Sequence, residues 1–146
     1  KILYMVRDPL SVIPSGLSLV TGVLDKLFGF WTLPKNRREL FISRLYNALV
    51  ELLIRFENDW SNGNIDKSKI MIVHFERMMN NFDELMDDII KFTGQESSDY
   101  LLDEISVTSE KQKAFISKHK YDLEKFGLNE EKIKEDCKKY YETFIN

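Results

Sequence analysis

An arginine and a serine eight residues apart, Arg7 and Ser15, are the side chains whose types and spacing best suit the binding of a phosphate. The planar guanidinium of arginine pairs its N–H donors with phosphate oxygens and stays charged at any relevant pH. Arg7 follows an apolar, strand-like run at residues 1–6. The next two residues, Asp8 and Pro9, are typical of a helix start. Helix starts favour anions, because their first amides lack partners. The pattern therefore predicts a phosphate site built from a strand end, free helix amides and a hydroxyl.

The same residues also have a purely structural interpretation. Arg-Asp-Pro is a common way for a chain to leave a strand, so Arg7 would pair with a carboxylate such as Asp8, and Ser15 would be an ordinary helix residue. Short motifs often match by chance. Pro14 also predicts a kink, because proline removes one backbone hydrogen bond from a helix. The rest of the chain has to separate the two interpretations.

Two later segments favour the phosphate-binding interpretation. Residues 69–77 form an apolar strand that runs into a charged helix start, with the aromatic side chain of Phe75 at the junction. Further along, Lys118 and Lys120 are ammonium groups suited to closing over phosphates. His119 between them is equally suited to hydrogen-bond a backbone carbonyl as a structural residue.

These segments, in this order, resemble the sulfotransferases that use PAPS, the sulfonate donor 3′-phosphoadenosine 5′-phosphosulfate. That family has a strand, then Arg-(Asp/Asn)-Pro, then a serine eight residues after the arginine, as Arg7 and Ser15 are here. Its next strand typically ends in Tyr-Glu-Asp, where this sequence has Phe75 and Arg77 in place of the Tyr and the Asp. Its tail has a His/Tyr-containing stretch before Phe-Gly-Leu and a last helix, which residues 118–128 resemble. The resemblance spans nearly the whole chain.

The resemblance implies roles for individual residues. Arg7 and Ser15 would bind the 3′-phosphate of PAPS, and Phe75 would offer an aromatic face to the adenine without the usual phenol hydroxyl. Lys118 and Lys120 would close over the phosphates of the donor. The implied reaction transfers a sulfonate group from PAPS to an acceptor hydroxyl or amine and leaves adenosine 3′,5′-bisphosphate. The acceptor would be a small molecule, a lipid, a carbohydrate or a protein.

The implied fold is α/β, a P-loop-type parallel sheet with flanking helices, of which residues 1–146 would be a helix-rich C-terminal portion of a single domain. The sequence contains no G-x-x-x-x-G-K-[ST] phosphate loop, and it begins directly in a strand pattern. The loop for the 5′-phosphosulfate and the catalytic base are therefore expected upstream of Lys1. Two alternatives stay open: a P-loop kinase acting on small molecules or nucleotides, and a non-catalytic helical interaction domain.

Composition argues against several other classes of protein. The formal net charge of −3, with mixed signs, argues against nucleic-acid binding, which normally needs a strongly basic face. Cys137 is the single cysteine, so neither an internal disulfide nor a cysteine zinc cluster is possible. The two histidines, His74 and His119, are too far apart in sequence to indicate a metal site, and we expect no metal.

The segment at residues 16–36 is unusually apolar for a connection between elements. Buried core at a helix end is the favoured interpretation, and an acceptor pocket or mobile lid for a lipid-like or aromatic alcohol is the alternative. Asp25 and Lys26 interrupt the run, so it is predicted to be too short and too charged to span a membrane. Periodicity and turn residues predict the other elements: a long amphipathic helix at 37–60, a strand at 70–75, a helix at 81–92 ended by Gly94, a short helix or turn at 97–107, and a last helix capped by Asn129.

Overall fold

A computed structural model describes residues 1–114 and 122–145 of the chain. These residues divide into two compact units. The strand unit comprises residues 1–7 and 65–114, and the helical unit comprises residues 8–64 and 122–145. The elements in chain order are β1 (Ile2–Val6), α1 (Pro9–Phe28), α2 (Lys35–Ser61), β2 (Ile70–His74), α3 (Phe75–Asn80), α4 (Phe82–Thr93), α5 (Asp99–Lys113), α6 (Glu130–Asp136) and α7 (Lys138–Phe144), with short 3-10 turns at Phe30–Thr32, Lys67–Lys69 and Glu124–Phe126.

The strand unit is built on two parallel strands. β1 pairs with β2 in a register that runs from Ile2 opposite Ile70 to Val6 opposite His74. Both predicted strands are therefore confirmed, and so is their parallel pairing. A helix-rich chain with a small parallel sheet belongs to the mixed α/β class, as the sequence predicted.

The sheet is only partly covered. Val6 and Val73 are buried, with 0% and 2% of their surfaces exposed, whereas Ile2, Leu3 and Met5 are 57%, 45% and 46% exposed. Parallel sheets in proteins usually have both faces covered, because their strands are apolar on both sides. Apolar side chains on both faces of β1 are thus unusually open to solvent.

Three helices, α3 to α5, follow β2 in the strand unit. Gly94 ends α4 in the left-handed conformation (φ 73°), which only a residue without a Cβ adopts easily, and this confirms the predicted helix end. α5 is longer than the predicted 97–107, and the hydroxyl of Ser98 caps its start. Leu85 of α4 and Ile105 of α5 are buried and form the apolar contact region of these helices.

The helical unit begins with α1 and α2. Asp8 is the N-cap of α1 and Pro9 its first residue, as predicted, and Gly29 (φ 63°) ends it. A Cβ added to Gly16 would lie 3.0 Å from the side chain of Leu49, so glycine permits the close approach of α1 to α2. The buried apolar side chains of the unit are Ile13, Leu17, Phe30, Ile42, Tyr46, Leu53, Phe126, Ile133, Cys137, Tyr140 and Phe144.

The chain ends in two short helices instead of the one that was predicted. The side chain of Asn129 accepts a hydrogen bond from the N–H of Lys132 at 2.9 Å, which confirms the predicted cap. The helix is interrupted at Cys137, whose backbone (φ −103°, ψ 15°) is not helical. Cys137 and Tyr140 are 0% and 1% exposed, so both side chains lie in the core.

The apolar segment at residues 16–36 is mainly helix, and much of it is exposed. Leu17 and Phe30 are buried, but Leu27 and Phe28 are 64% and 75% exposed. The buried-core interpretation is therefore right for only part of the segment, because one face of α1 packs in the core while another meets solvent.

α1 is, among the described residues, the one helix long and apolar enough by length and composition to cross a membrane. The uncharged run that precedes Asp25 and Lys26 begins at Pro9, before the 16–36 segment, and this longer run explains why the helix is apolar enough although the segment was expected to be too short and too charged. Core helices of soluble proteins can be equally long and apolar. This property alone does not assign α1 to a membrane.

Candidate anion-binding site

Arg7 lies at the carboxyl end of β1, directly after the fully buried Val6. Its guanidinium carbon is 4.1 Å from the centroid of the Phe75 ring, and Phe75 is the residue that follows β2. The two residues meet because parallel strands end at the same edge of a sheet, and Val6 lies opposite His74. The structure thus brings together two of the predicted site residues that are far apart in sequence.

The contact between Arg7 and Phe75 is a cation–π interaction between two half-buried side chains. The ion pairs found in the described strand unit join other residues, so no carboxylate of that unit neutralises Arg7. A guanidinium directs its N–H donors outward in its own plane, so an oxyanion can bind at its edge while its carbon lies over a ring. Phe75 therefore positions the arginine, and one face of the ring is not free for an adenine.

Arg77 occupies the place of the aspartate in the family pattern, and it has a structural partner. Its guanidinium forms an ion pair with Asp88 of α4, and this hydrogen bond holds the pKa of the Asp88 carboxyl below its usual value. Both side chains are well exposed, so the pair contributes little to stability. It links α3 to α4, and Arg77 is engaged by a carboxylate in a way that Arg7 is not.

The first turn of α1 holds no free amide. Pro9 has no N–H, and the N–H of Leu10 donates to the side-chain oxygen of Asp8 at 2.8 Å. The N–H groups of Ser11 and Val12 donate to the backbone carbonyl of Asp8 at 2.8 and 3.0 Å. The prediction that α1 would offer free amides to a phosphate is therefore wrong, because the cap and the tight first turn use all of them.

The carboxylate of Asp8 has a second role that sequence reasoning missed. The phenol of Tyr141, near the end of the chain, donates a hydrogen bond to it at 2.5 Å. Burial of Tyr141, followed by its hydrogen bond to Asp8, raises the pKa of the phenol well above its ordinary value. Asp8 therefore both caps α1 and fixes α7 within the helical unit, and no local sequence signal marks a pair separated by so many residues.

Ser15 lies on α1, one helical turn after Ser11, as predicted, and both are half-buried. Among the described residues, no hydrogen bond involves the hydroxyl of Ser15. Pro14 is buried, and α1 continues past it as one helix. Ser15 belongs to the helical unit, whereas Arg7 and Phe75 belong to the strand unit. A shared role for the serine and the arginine stays a prediction.

The predicted basic residues Lys118 and Lys120, and His119 between them, lie outside the described residues, so their roles also stay predictions. Within residues 1–114 and 122–145, no group of three or more His, Cys, Asp and Glu side chains is arranged to hold a metal ion. At the carboxyl ends of the strands, the described residues present a cation held against an aromatic ring.

Comparisons with known proteins give no relative for this chain. No family model matches it, and neither a curated protein nor a solved structure matches it.

Proposed function

We propose that this chain belongs to a PAPS-dependent sulfotransferase and forms the side of the donor site that binds the 3′-phosphate and the adenine. The observation that carries the proposal is the position of the Arg7 guanidinium over the ring of Phe75, beside the carboxyl ends of two parallel strands. In open α/β sheets, ligands bind outside this edge. A cation without a carboxylate partner in its unit suits an anionic ligand there.

The proposal includes a larger sheet of the P-loop type. Its support is the exposure of Ile2, Leu3 and Met5 on β1, since the strands of a parallel sheet are normally covered on both faces. Because residues 1–146 contain no phosphate-loop motif, the groups that bind the 5′-phosphosulfate and the catalytic base would come from elsewhere in the enzyme.

In the proposed reaction, an acceptor hydroxyl or amine attacks the sulfur of PAPS in line, and the bond from sulfur to the bridging oxygen breaks. Arg7 would act at the far phosphate of the donor, not at the reacting atoms. Its contribution would be affinity and orientation, which lower the barrier by fixing the geometry before reaction. Phe75 would hold the guanidinium in place and offer its remaining ring surface to the adenine.

Calorimetric titration of the chain with adenosine 3′,5′-bisphosphate tests the proposal, with 5′-AMP and magnesium-ATP as comparators. We expect binding that depends on the 3′-phosphate. Arg7→Ala should weaken it by about 2 kcal/mol, or roughly 30-fold, because a charge-assisted pair of hydrogen bonds is lost. Arg55→Ala removes an exposed arginine of α2 and should leave the affinity unchanged.

Three outcomes contradict the proposal or its site. If 5′-AMP binds with the same affinity, the 3′-phosphate does not contribute to binding. If magnesium-ATP binds more tightly, the result favours a kinase. An unchanged affinity in Arg7→Ala means that the nucleotide binds without this arginine. In that case the site assignment is wrong even if the nucleotide binds tightly.

A further inference from the structure

A cleft that the proposed function does not use lies entirely within the helical unit. It encloses about 650 Å³, a volume typical of sites for small organic molecules. Its lining combines aromatic and basic side chains, among them Trp31, Arg38, Tyr46, Lys125, Phe126 and Lys132. No pattern in the sequence joins these residues, because they come from the turn after α1, from α2, and from the segment that precedes and begins α6.

Trp31 is held rigidly in this cleft. Its backbone N–H donates to the carboxylate of Asp25 at 3.0 Å. Its ring packs edge-on against the buried Phe30, with 5.1 Å between centroids, and lies 6.4 Å from the ring of the buried Phe126. The indole itself is only half-buried. A fixed aromatic surface of this kind can stack against a planar ligand at little cost in side-chain entropy.

Two cations lie over the indole. The Nζ atom of Lys125 is 4.4 Å from its centroid and the guanidinium carbon of Arg38 is 5.8 Å away. The Nε–H of Arg38 is shielded from solvent and has no hydrogen-bond partner among the described residues. A buried donor without an acceptor is costly, so a ligand that brings an acceptor to this N–H gains a favourable hydrogen bond.

The other two cations of the cleft are already paired. Lys35 forms an ion pair with Glu39 at 3.7 Å, and Lys132 forms one with Asp136 at 2.9 Å. The remaining acidic residue of the lining, Glu124, is exposed. Positive charge without a described carboxylate partner is therefore concentrated at Arg38 and Lys125, beside the tryptophan.

We propose that this cleft binds a planar aromatic anion, with its oxyanion on Arg38 and Lys125 and its ring against the part of the Trp31 indole that these two cations leave exposed. An oxyanion such as a sulfonate, sulfate or carboxylate supplies the acceptor that the Arg38 Nε–H lacks, and the planar fork of arginine binds two such oxygens at once. The aromatic body of the ligand covers apolar surface that is otherwise open. Neither a neutral ring nor a bare inorganic anion satisfies both halves of the site.

The test is calorimetric titration of the 146-residue chain with naphthalene-2-sulfonate. Naphthalene-2-sulfonamide serves as the uncharged analogue and inorganic sulfate as the anion without a ring. We expect the sulfonate to bind at least about tenfold more tightly than either comparator. Arg38→Gln should weaken its binding about tenfold or more, as for the loss of a charge-assisted hydrogen bond.

Two further variants secure the interpretation. Lys125→Gln removes a cation of an exposed residue, so binding to this variant still tests the proposal if Arg38→Gln does not fold. Lys139→Gln removes an exposed lysine of α7 that does not line the cleft and should leave binding unchanged. Equal binding of the sulfonamide, undiminished binding in both cleft variants, or no binding at millimolar concentration overturns the proposal.

The two proposals can be tested independently, because each predicts that a different arginine is needed for binding. Adenosine 3′,5′-bisphosphate is itself an aromatic anion, so its titration should be repeated with Arg38→Gln. An affinity that falls with Arg7→Ala and not with Arg38→Gln places the nucleotide at the strand edge. Naphthalene-2-sulfonate should show the reverse dependence, and a dependence of naphthalene-2-sulfonate on Arg7 would contradict the cleft assignment.

Discussion

The helical unit and the strand unit are stabilised in different ways. Most of the buried apolar side chains among the described residues belong to the helical unit. Several of its polar groups are paired within it: the phenol of Tyr46 donates to Asp136 at 2.6 Å, and Oε1 of Glu57 accepts from Ser61 and Thr143. The other carboxylate oxygen of Glu57 is buried without a hydrogen-bond partner among the described residues. The strand unit has few fully buried side chains and exposes apolar residues of β1. A unit with an open apolar sheet is suited to further association, whereas the helical unit has a core of its own.

Truncation in the core of the helical unit should produce the largest effect. Tyr140 is 1% exposed and its ring lies 5.2 Å from that of Phe144. Tyr140→Ala should lower the free energy of unfolding by roughly 3–5 kcal/mol, because it removes a large buried ring and leaves a cavity. Tyr100→Ala in the strand unit, where the side chain is 74% exposed, should change it by no more than about 0.5 kcal/mol. Urea unfolding followed by circular dichroism measures both, and similar losses would remove the contrast between the units.

The second prediction concerns how well the same core shields the thiol of Cys137 from solvent. Burial, and then the nearby Asp136, raises the pKa of the Cys137 thiol to about 11. Because this pKa is higher than in the unfolded chain, the stability that the neutral thiol contributes is fully present below about pH 8.5 and is lost as pH rises through 11. At pH 8 a disulfide reagent should react with Cys137 only after urea unfolds the protein, since the thiolate is the nucleophile.

A matched control for that reaction is an exposed thiol in the same helix. Lys139→Cys, made together with Cys137→Ala, places a cysteine on the exposed side of α7 and should react rapidly in the folded state. Equally rapid reaction of the native Cys137 would show that the core of the helical unit admits the reagent, and the contrast with the strand unit would be weaker than described.

The smallest effect is expected on the open face of the strand unit. Met5 is 46% exposed on β1, so Met5→Lys should change the free energy of unfolding by no more than about 0.5 kcal/mol in the chain. Val6→Lys, one position along and fully buried, is the matched contrast and should be strongly destabilising. Urea unfolding again gives both values, and a large loss in Met5→Lys would mean that this face is covered in solution.

Local signals in the sequence were enough to predict much of the fold. The cap at Asp8, the helix end at Gly94 and the cap at Asn129 depend on a few neighbouring residues, and each is confirmed. The interruption at Cys137 was missed because the residues on both sides of it are good helix formers, and no local signal in the sequence marks the non-helical backbone there. The exposure of Leu27 was missed for the same reason, since periodicity does not tell which apolar face finds a partner.

The candidate site was predictable in part. The contact of Arg7 with Phe75 follows from two strands of known direction, because parallel strands bring their ends together. The loss of free amides at the start of α1 depends mainly on the backbone carbonyl of Asp8, which accepts from both Ser11 and Val12 in a tight first turn that the sequence does not determine. The meeting of Trp31 with Lys125 joins segments that are distant in the chain, and no local rule connects them.

The register of the sheet also bears on the order in which the chain can fold. Ile2 lies opposite Ile70, so the first hydrogen bonds between the strands close a loop that contains all of α1 and α2. Closing so long a loop costs entropy before any distant contact repays it, whereas helices form from neighbouring residues in microseconds. Early formation of α1 and α2 shortens the flexible chain between the strands. The residues that place Arg7 beside Phe75 are thus assembled late, and the kinetics of folding depend on helices that lie between the two strands in the chain.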